Sequence, residues 1–394
     1  MLKTNQTLNL DDLDRRQAFY NISAGGNTSN IFKSDGVYVD FYINQMKNQL
    51  DEIENFTLQF EIANTSSVNT MTLTPSFCFC PTIEFYSNNK LMDIMRLSHL
   101  FIYHTFLNSQ QTENVGRIEG YIPNDNSSNG GITATNVIPP NSSKFIHLLI
   151  PKCVFNTKHL LLPALNGEQK IRVYFNKESN INFAPETPST LQVVSFQLLA
   201  NGIKYNNVSD LEQFMNKEFE LNTIIHRYDS KNVLLGQALS NNITYNVSLE
   251  QLKGEMEFVI FYLVKSGATL ADYYQSNTPY DYAMQNFTLF DSDGTNAGFY
   301  SSMNGNYIKT VIPLCCQNSL WQALFSFYML PFSTNPQKSY NNNEFTQMKY
   351  LDGKFSLNFQ PGLNGINDPI SLVYLGHQRA KLNIKDGLMN ITQL

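Results

Sequence analysis

Phe56-Thr57-Leu58-Gln59-Phe60-Glu61-Ile62 alternates apolar and polar residues without a break. Successive side chains of an extended chain point to opposite faces. The stretch therefore reads as a strand with Phe56, Leu58, Phe60 and Ile62 against a core and Thr57, Gln59 and Glu61 turned away from it. The pattern continues in both directions. Residues 37–43 alternate in part, and Thr82-Ile83-Glu84-Phe85-Tyr86 runs into a Ser87-Asn88-Asn89 turn. Phe145-Ile146-His147-Leu148-Leu149-Ile150 stops at Pro151, and residues 170–175 and 192–198 read the same way. Short strands separated by Asn, Gly, Pro and Ser point to an antiparallel sandwich, not to alternating strand–helix units.

Strand signals resume in the second half. Glu257-Phe258-Val259-Ile260-Phe261-Tyr262-Leu263-Val264 is apolar almost throughout, so both of its faces are expected to be covered. Residues 287–290, 307–312, 354–359 and 371–375 follow as strands. Helices are few. Leu91, Ile94, Met95, Phe101 and Ile102 form one helical stripe. Val208-Ser209-Asp210-Leu211-Glu212 offers Ser209 as the cap and Glu212 as its partner in a capping box, opening a short helix to about residue 217. A third helix is expected over residues 319–328, around Trp321. Near the N-terminus, Leu8, Leu10, Leu13 and Phe19 among Asp11, Asp12, Asp14, Arg15 and Arg16 predict a short helix capped by Asn9, broken at Gly25-Gly26.

The halves repeat weakly. Ile150-Pro151-Lys152-Cys153 aligns with Ile312-Pro313-Leu314-Cys315, residues 170–175 with 354–359, and 84–88 with 289–293, in the same order in both halves. The expected organisation is an N-terminal arm at 1–35, a first β-domain at 36–207, a linker helix at 208–218 and a second β-domain at 219–394. A chain of 394 residues is long enough for two cores.

Chemistry is sparse. Hydrophobic residues make up 42% and charged residues only 15%, with a formal net charge of −6. No basic block is present to neutralise phosphates, so direct nucleic-acid binding is not expected. The five cysteines, Cys78, Cys80, Cys153, Cys315 and Cys316, form no disulfide scaffold. Cys78 and Cys80 are two apart, as on one face of a buried strand, and read as core residues and not as half a metal site. The N-terminus lacks the apolar run of a signal peptide. The sequons at Asn55 and Asn242 are then expected to be bare.

His99 and His104 lie five apart, not four, His147 and His159 flank a strand and a loop, and His226 and His377 stand alone. Asp291-Ser292-Asp293-Gly294 resembles the start of a calcium loop, but position 12 is Ser302, not Glu, so it reads as a turn. No phosphate loop, nucleophile elbow or zinc spacing occurs. No catalytic, cofactor-binding or metal-ligating residue is assigned, no cofactor is expected, and the chain is not expected to be an enzyme.

The ordered features resemble a known family. Residues 81–89 followed by a helix through His99 are one such feature, and Pro139-Pro140-Asn141-Ser142-Ser143 before the strand ending at Pro151 is another. Residues 169–182 around Tyr174-Phe175-Asn176 also fit. So do Trp321, Pro331-Phe332 and Asp352-Gly353-Lys354-Phe355, with the ending Leu372-Val373-Tyr374-Leu375-Gly376 and a polar stretch to Leu388. From about Ile31 to Met389 they are similar to the double jelly-roll major capsid proteins of tailless viruses with an internal membrane, such as the tectiviruses. The resemblance implies an all-β chain of two tandem eight-stranded jelly rolls with a few short helices. It implies homotrimers of nearly hexagonal outline, tiling an icosahedral virion capsid, as in a bacteriophage, over an internal lipid membrane. Neighbouring trimers, penton proteins and minor capsid proteins would be the partners, with assembly in the host cytoplasm. An arm carrying Leu10, Leu13, Arg15, Arg16 and Phe19 would face the membrane. The rival is a secreted double jelly-roll protein that binds glycans or, as an amidase, releases them.

Overall fold

The computed structural model describes residues 10–24, 28–103, 109–123, 132–215, 218–233, 244–266, 284–290, 303–305, 307–308, 328–332, 349–352, 356–361 and 370–393. The first half contains β1 (Arg15–Ser23), β2 (Tyr38–Tyr42), β3 (Glu52–Asn64), β4 (Met71–Leu73), β5 (Thr82–Ser87) and β6 (Lys90–Arg96). It continues with β7 (Tyr121–Pro123), β8 (Ile132–Ala134), β9 (Asn136–Ile138), β10 (Ser142–Ile150), β11 (Gln169–Tyr174) and β12 (Leu191–Tyr205). Two four-stranded sheets, β1-β12-β3-β10 and β2-β11-β5-β6, face each other. Chain order and sheet order together are those of a jelly roll: the first strand pairs with the last, the second with the last but one.

The second half contains β13 (Phe219–Asn232), β14 (Tyr245–Ser248), β15 (Lys253–Lys265), β16 (Met284–Phe290) and β17 (Met303–Asn304). It ends with β18 (Tyr328–Pro331), β19 (Lys349–Asp352), β20 (Ser356–Pro361), β21 (Ile370–Lys385) and β22 (Leu388–Gln393). Its sheets, β13-β21-β15-β18 and β14-β20-β16-β17, reproduce the first pair strand for strand, with β19 and β22 added at the sides. The chain is thus a double jelly roll. Helices α1 (Leu97–Tyr103), α2 (Ser109–Glu119) and α3 (Glu178–Ile181) belong to the first roll, and α4 (Val208–Met215) lies between the last strand of the first roll and the first strand of the second.

Two of the three repeat matches fall on equivalent strands. Residues 170–174 lie on β11 and 356–359 on β20, the same sheet position in each roll, and 84–88 and 289–293 start on β5 and β16. The third does not. The strand in the position of β10 is β18, so Ile150-Pro151 is matched by Leu330-Pro331 and not by Ile312-Pro313, which is outside the described residues.

The cores follow the alternation. Phe56, Leu58, Phe60 and Ile62 are fully buried in the first roll. Phe60 stacks on Phe196 at 4.6 Å and meets Phe32, Phe79 and Phe175 at 5.5–6.3 Å. Strand β15 is covered on both sides, as its apolar run predicts. Val259, Phe261 and Leu263 join the second roll's own core, whereas Phe258, Ile260, Tyr262 and Val264 join the core continuous with the first roll. The tight β5–β6 turn puts Asn88 at φ 50° and Asn89 at φ 62°, a mirror-image turn that asparagine tolerates. At the β21–β22 turn, Asp386 and Gly387 also take positive φ. There the second roll is clasped by the first: the Asn166 N–H donates to Gly387 O (2.7 Å) and its Nδ2 to Asp386 O (3.0 Å).

Five expectations are corrected. The helix expected over Leu8, Leu10, Leu13 and Phe19 is instead a 3-10 turn (Leu10–Asp12) followed by β1, which pairs along its whole length with β12 inside the segment expected as an arm. Ala18, Tyr20 and Ile22 alternate inward, and this period-two signal outweighs the leucine spacing. The stripe from Leu91 to Ile102 is strand β6 up to Arg96, and only then helix α1 (Leu97–Tyr103). Asn207, not Ser209, caps α4: its Oδ1 accepts the Ser209 N–H (3.1 Å) and its carbonyl the Leu211 N–H. In the strand expected over 307–312, Tyr307 and Ile308 are helical and the rest lies outside the described residues. The polar stretch to Leu388 is no tail, because β21 runs to Lys385 and turns back as β22. The Trp321 helix and the Asp291-Ser292-Asp293-Gly294 turn also lie outside the described residues.

Phe60→Ala empties the centre of this aromatic cluster. It is expected to destabilise the chain by about 3–5 kcal/mol, read from the urea unfolding midpoint.

Candidate functional site

Where β6 and α1 of the first roll meet β13, β15 and β21 of the second, a dry apolar contact carries a few polar pins. Asp93 is the central one, buried at 5% exposure. Its Oδ2 accepts His226 Nδ1–H (2.7 Å), and its Oδ1 accepts the backbone N–H groups of His226 and Ile94 (both 2.9 Å). Ser98 Oγ and Tyr262 Oη share a hydrogen bond of 2.7 Å, and Thr157 Oγ1 and Thr223 Oγ1 another of 2.7 Å. Each joins a residue of one roll to a residue of the other. A buried polar group is expensive unless paired, so these pins fix the angle and register at which the rolls dock.

His226 and His377, which stand alone in the sequence, gather here with His99. The His226 ring lies 4.9 Å from both His99 and His377, and Phe258 covers His377 at 4.5 Å. His99 Nδ1 accepts the Arg96 N–H (3.0 Å), and its Nε2 lies 3.0 Å from Arg227 O, which can only accept. This sets His99 as the neutral Nε2–H tautomer. Burial, and then the neighbouring His226, holds the His99 pKa well below the ordinary 6.5, and the same causes act on His377. Among the described residues no group of histidine, cysteine and carboxylate side chains is arranged to hold a metal.

The other sequence candidates disperse. Leu10 and Leu13 pack with Ile203, Tyr205 and Leu211 beside α4. Arg15 pairs with Asp11 at 3.1 Å, Arg16 is exposed, and Phe19 stands 77% exposed on the outer face of the first sheet. His147 meets Gln59 at 3.1 Å and His159 sits near Asp11 and Glu52, while His104 lies outside the described residues. Cys78 ends a 3-10 turn instead of sitting in a strand, and Cys80 follows it. Both are fully buried and free.

The two faces that dock rolls can be compared. The outer face of β13-β21-β15-β18 is apolar and covered by the first roll. The equivalent face of β1-β12-β3-β10 has nothing over it among the described residues. It carries Thr57, Gln59, Glu61 and Leu199 at its centre, with Phe19, Phe145 (54% exposed) and Val194 (49%) around them.

Because the folded joint refuses protons that free histidines take up below about 6.5, stability is complete above that pH and falls as pH drops through it toward the depressed folded values. His99 and His377 are each expected to contribute to this loss, because each must be charged in the unfolded chain and stays neutral in the folded one. Urea midpoints measured from pH 8 to 5 check this, and His377→Phe is expected to flatten part of the slope.

No family model and no curated protein matches the sequence. Solved structures match the fold. VP54 of PBCV-1, as fitted into a reconstruction of the virophage Sputnik, superposes with TM-score 0.72 at 12% identity, over 96% of this chain and 97% of that one. The Faustovirus major capsid protein gives 0.63 at 11% identity, over 99% and 93%. The mavirus major capsid protein gives 0.50 at 11% identity, over 95% and 90%. The fold of this chain is therefore the double jelly roll that these viral capsid proteins share.

Proposed function

We propose that this chain is a major capsid protein: a structural subunit that forms homotrimers and tiles an icosahedral virion shell. The carrying observation is the pair of equivalent sheet faces, one covered within the chain and one open among the described residues. A surface that docks roll two onto roll one has a counterpart on roll one, and the natural cover for it is the corresponding flank of roll two in a second copy. Such a contact is heterologous, so it closes only as a ring. Two rolls per chain, side by side, make three chains into a ring of six. The open face is more polar than the covered one, as befits a surface that stays in water until subunits meet. The likeness to capsid proteins over almost the whole length of both chains supports the same reading.

The finer parts of the proposal follow from the sequence resemblance. A lipid membrane lies beneath the shell on the side of the N-terminal segment, and penton and minor capsid proteins complete the virion. Leu10 and Leu13 pack beside the linker helix and Phe19 belongs to the proposed trimer contact, which leaves Arg15 and Arg16 as the candidates for facing the membrane. Assembly belongs in the reducing host cytoplasm. The buried free thiols Cys78, Cys80 and Cys153 suit that compartment, and burial pushes Cys153 up to about 12.

The purified chain is expected to run as a three-chain species by light scattering. Phe19→Asp combined with Phe145→Asp is expected to give a folded monomer that still unfolds in one cooperative urea transition. A parent chain that stays monomeric at all concentrations, or a double variant that still forms trimers, overturns the proposed contact.

A further inference from the structure

A cleft of about 380 Å³ opens between the rolls beside the histidine cluster, with His226 and Asp93 in its wall. Strand β6 forms one wall and β13 and β22 the other. Three cations line it, Lys90, Arg96 and Arg227, together with Tyr228, Gln251 and Gln393. This concentration of positive charge stands out in a chain of formal net charge −6.

None of the three has a carboxylate within ion-pair distance among the described residues. Lys90 Nζ donates to Asn390 Oδ1 (3.2 Å), Arg96 Nη1 to Thr82 Oγ1 (2.9 Å) and Arg227 Nε to Gln378 Oε1, all neutral acceptors. The one acid in the wall, Asp93, is already committed. Both of its oxygens accept N–H groups of His226, and Oδ1 also accepts from Ile94. Burial lowers the pKa of Arg227, the mark of a guanidinium short of water, with only the more distant Asp93 charge opposing. A desolvated cation with neutral partners is costly, and an anion entering the cleft relieves that cost. Guanidinium groups present planar forks of donors that match phosphate oxygens, and the lysine adds a point charge.

We propose that this cleft is a phosphate-binding site, taking a phosphate ion or the phosphomonoester end of a larger molecule. The cleft exceeds what a bare ion fills, so an ester fits without rearrangement. Because its walls belong to different rolls, the bound anion bridges Lys90 and Arg96 of the first to Arg227 of the second and stabilises the joint by mass action. The site does not depend on the capsid reading and stands whether or not trimers form.

The test is calorimetric titration of the full chain with inorganic phosphate, against sodium chloride of equal ionic strength. It is paired with co-flotation on phosphatidylcholine vesicles with and without phosphatidic acid. Saturable phosphate binding is expected, together with a raised unfolding temperature. Arg96→Gln and Lys90→Gln, both at exposed positions, are each expected to weaken binding at least tenfold while leaving the phosphate-free unfolding temperature unchanged. Arg227→Gln is expected to do so more strongly. Binding to free phosphate alone identifies a soluble ligand, and binding only to phosphatidic acid vesicles identifies a lipid headgroup. Absence of both, or affinities unchanged in Arg96→Gln and Lys90→Gln, overturns the proposal.

Discussion

Strand β15 has no face that water can wet. Met256, Val259, Phe261 and Leu263 fill the second roll, and Phe258, Ile260, Tyr262 and Val264 point the other way into the first. A strand of this composition is stable only if both sides are covered. The second roll is therefore not free to swing on its linker, and the two rolls share one continuous apolar interior. The polar pins follow from this. Once the contact is dry, each polar group within it needs a fixed partner, and Asp93, Ser98 and Thr157 each find theirs across the joint. The cationic cleft follows too, as the place where the dry contact ends and charges remain at its rim.

Much of the fold could be read from local pattern. The period-two run at Phe56–Ile62, the doubly apolar run at 257–264 and the Asn88-Asn89 turn each reflect a constraint satisfied by neighbours in sequence. Reading failed where two periods competed. Leu10 and Leu13 suggested a helix, yet Ala18, Tyr20 and Ile22 complete a sheet whose partner strand begins at Leu191. The Leu91–Ile102 stripe failed the same way, because three residues of a strand can imitate a helical face. At Ser209 the capping-box spacing is present, but the helix already begins at Val208, so Asn207 is the cap and Ser209 lies within the first turn.

The joint itself was invisible for a different reason. His226 and Asp93 are 133 residues apart, and His99 meets the carbonyl of a residue 128 positions away. Nothing in the spacing of single histidines announces such a meeting, since the meeting depends on the packing of whole domains. The repeat in the sequence signalled that there were two rolls, yet it carried no information about which faces would touch. The asymmetry between the covered and the open sheet face emerged only with their side chains in place. The polar content of Thr57, Gln59 and Glu61, first read as ordinary outward residues, then became the distinguishing mark of a surface kept soluble.

The clasp at Asp386-Gly387 has a consequence for the order of synthesis. Its partner Asn166 is made 220 residues earlier, and β21, the strand that the second roll's main sheet is built around, leaves the ribosome only just before the clasp does. The first roll is complete once β12 has emerged, so it can fold while the rest is still being made. Strands β13 and β15 then wait, with their apolar faces unsheltered except by the finished first roll beside them. That roll serves the nascent chain as a template, and the late hairpin closes the assembly like a final stitch. Vulnerability to aggregation is thereby confined to the interval between the appearance of β15 and that of β21.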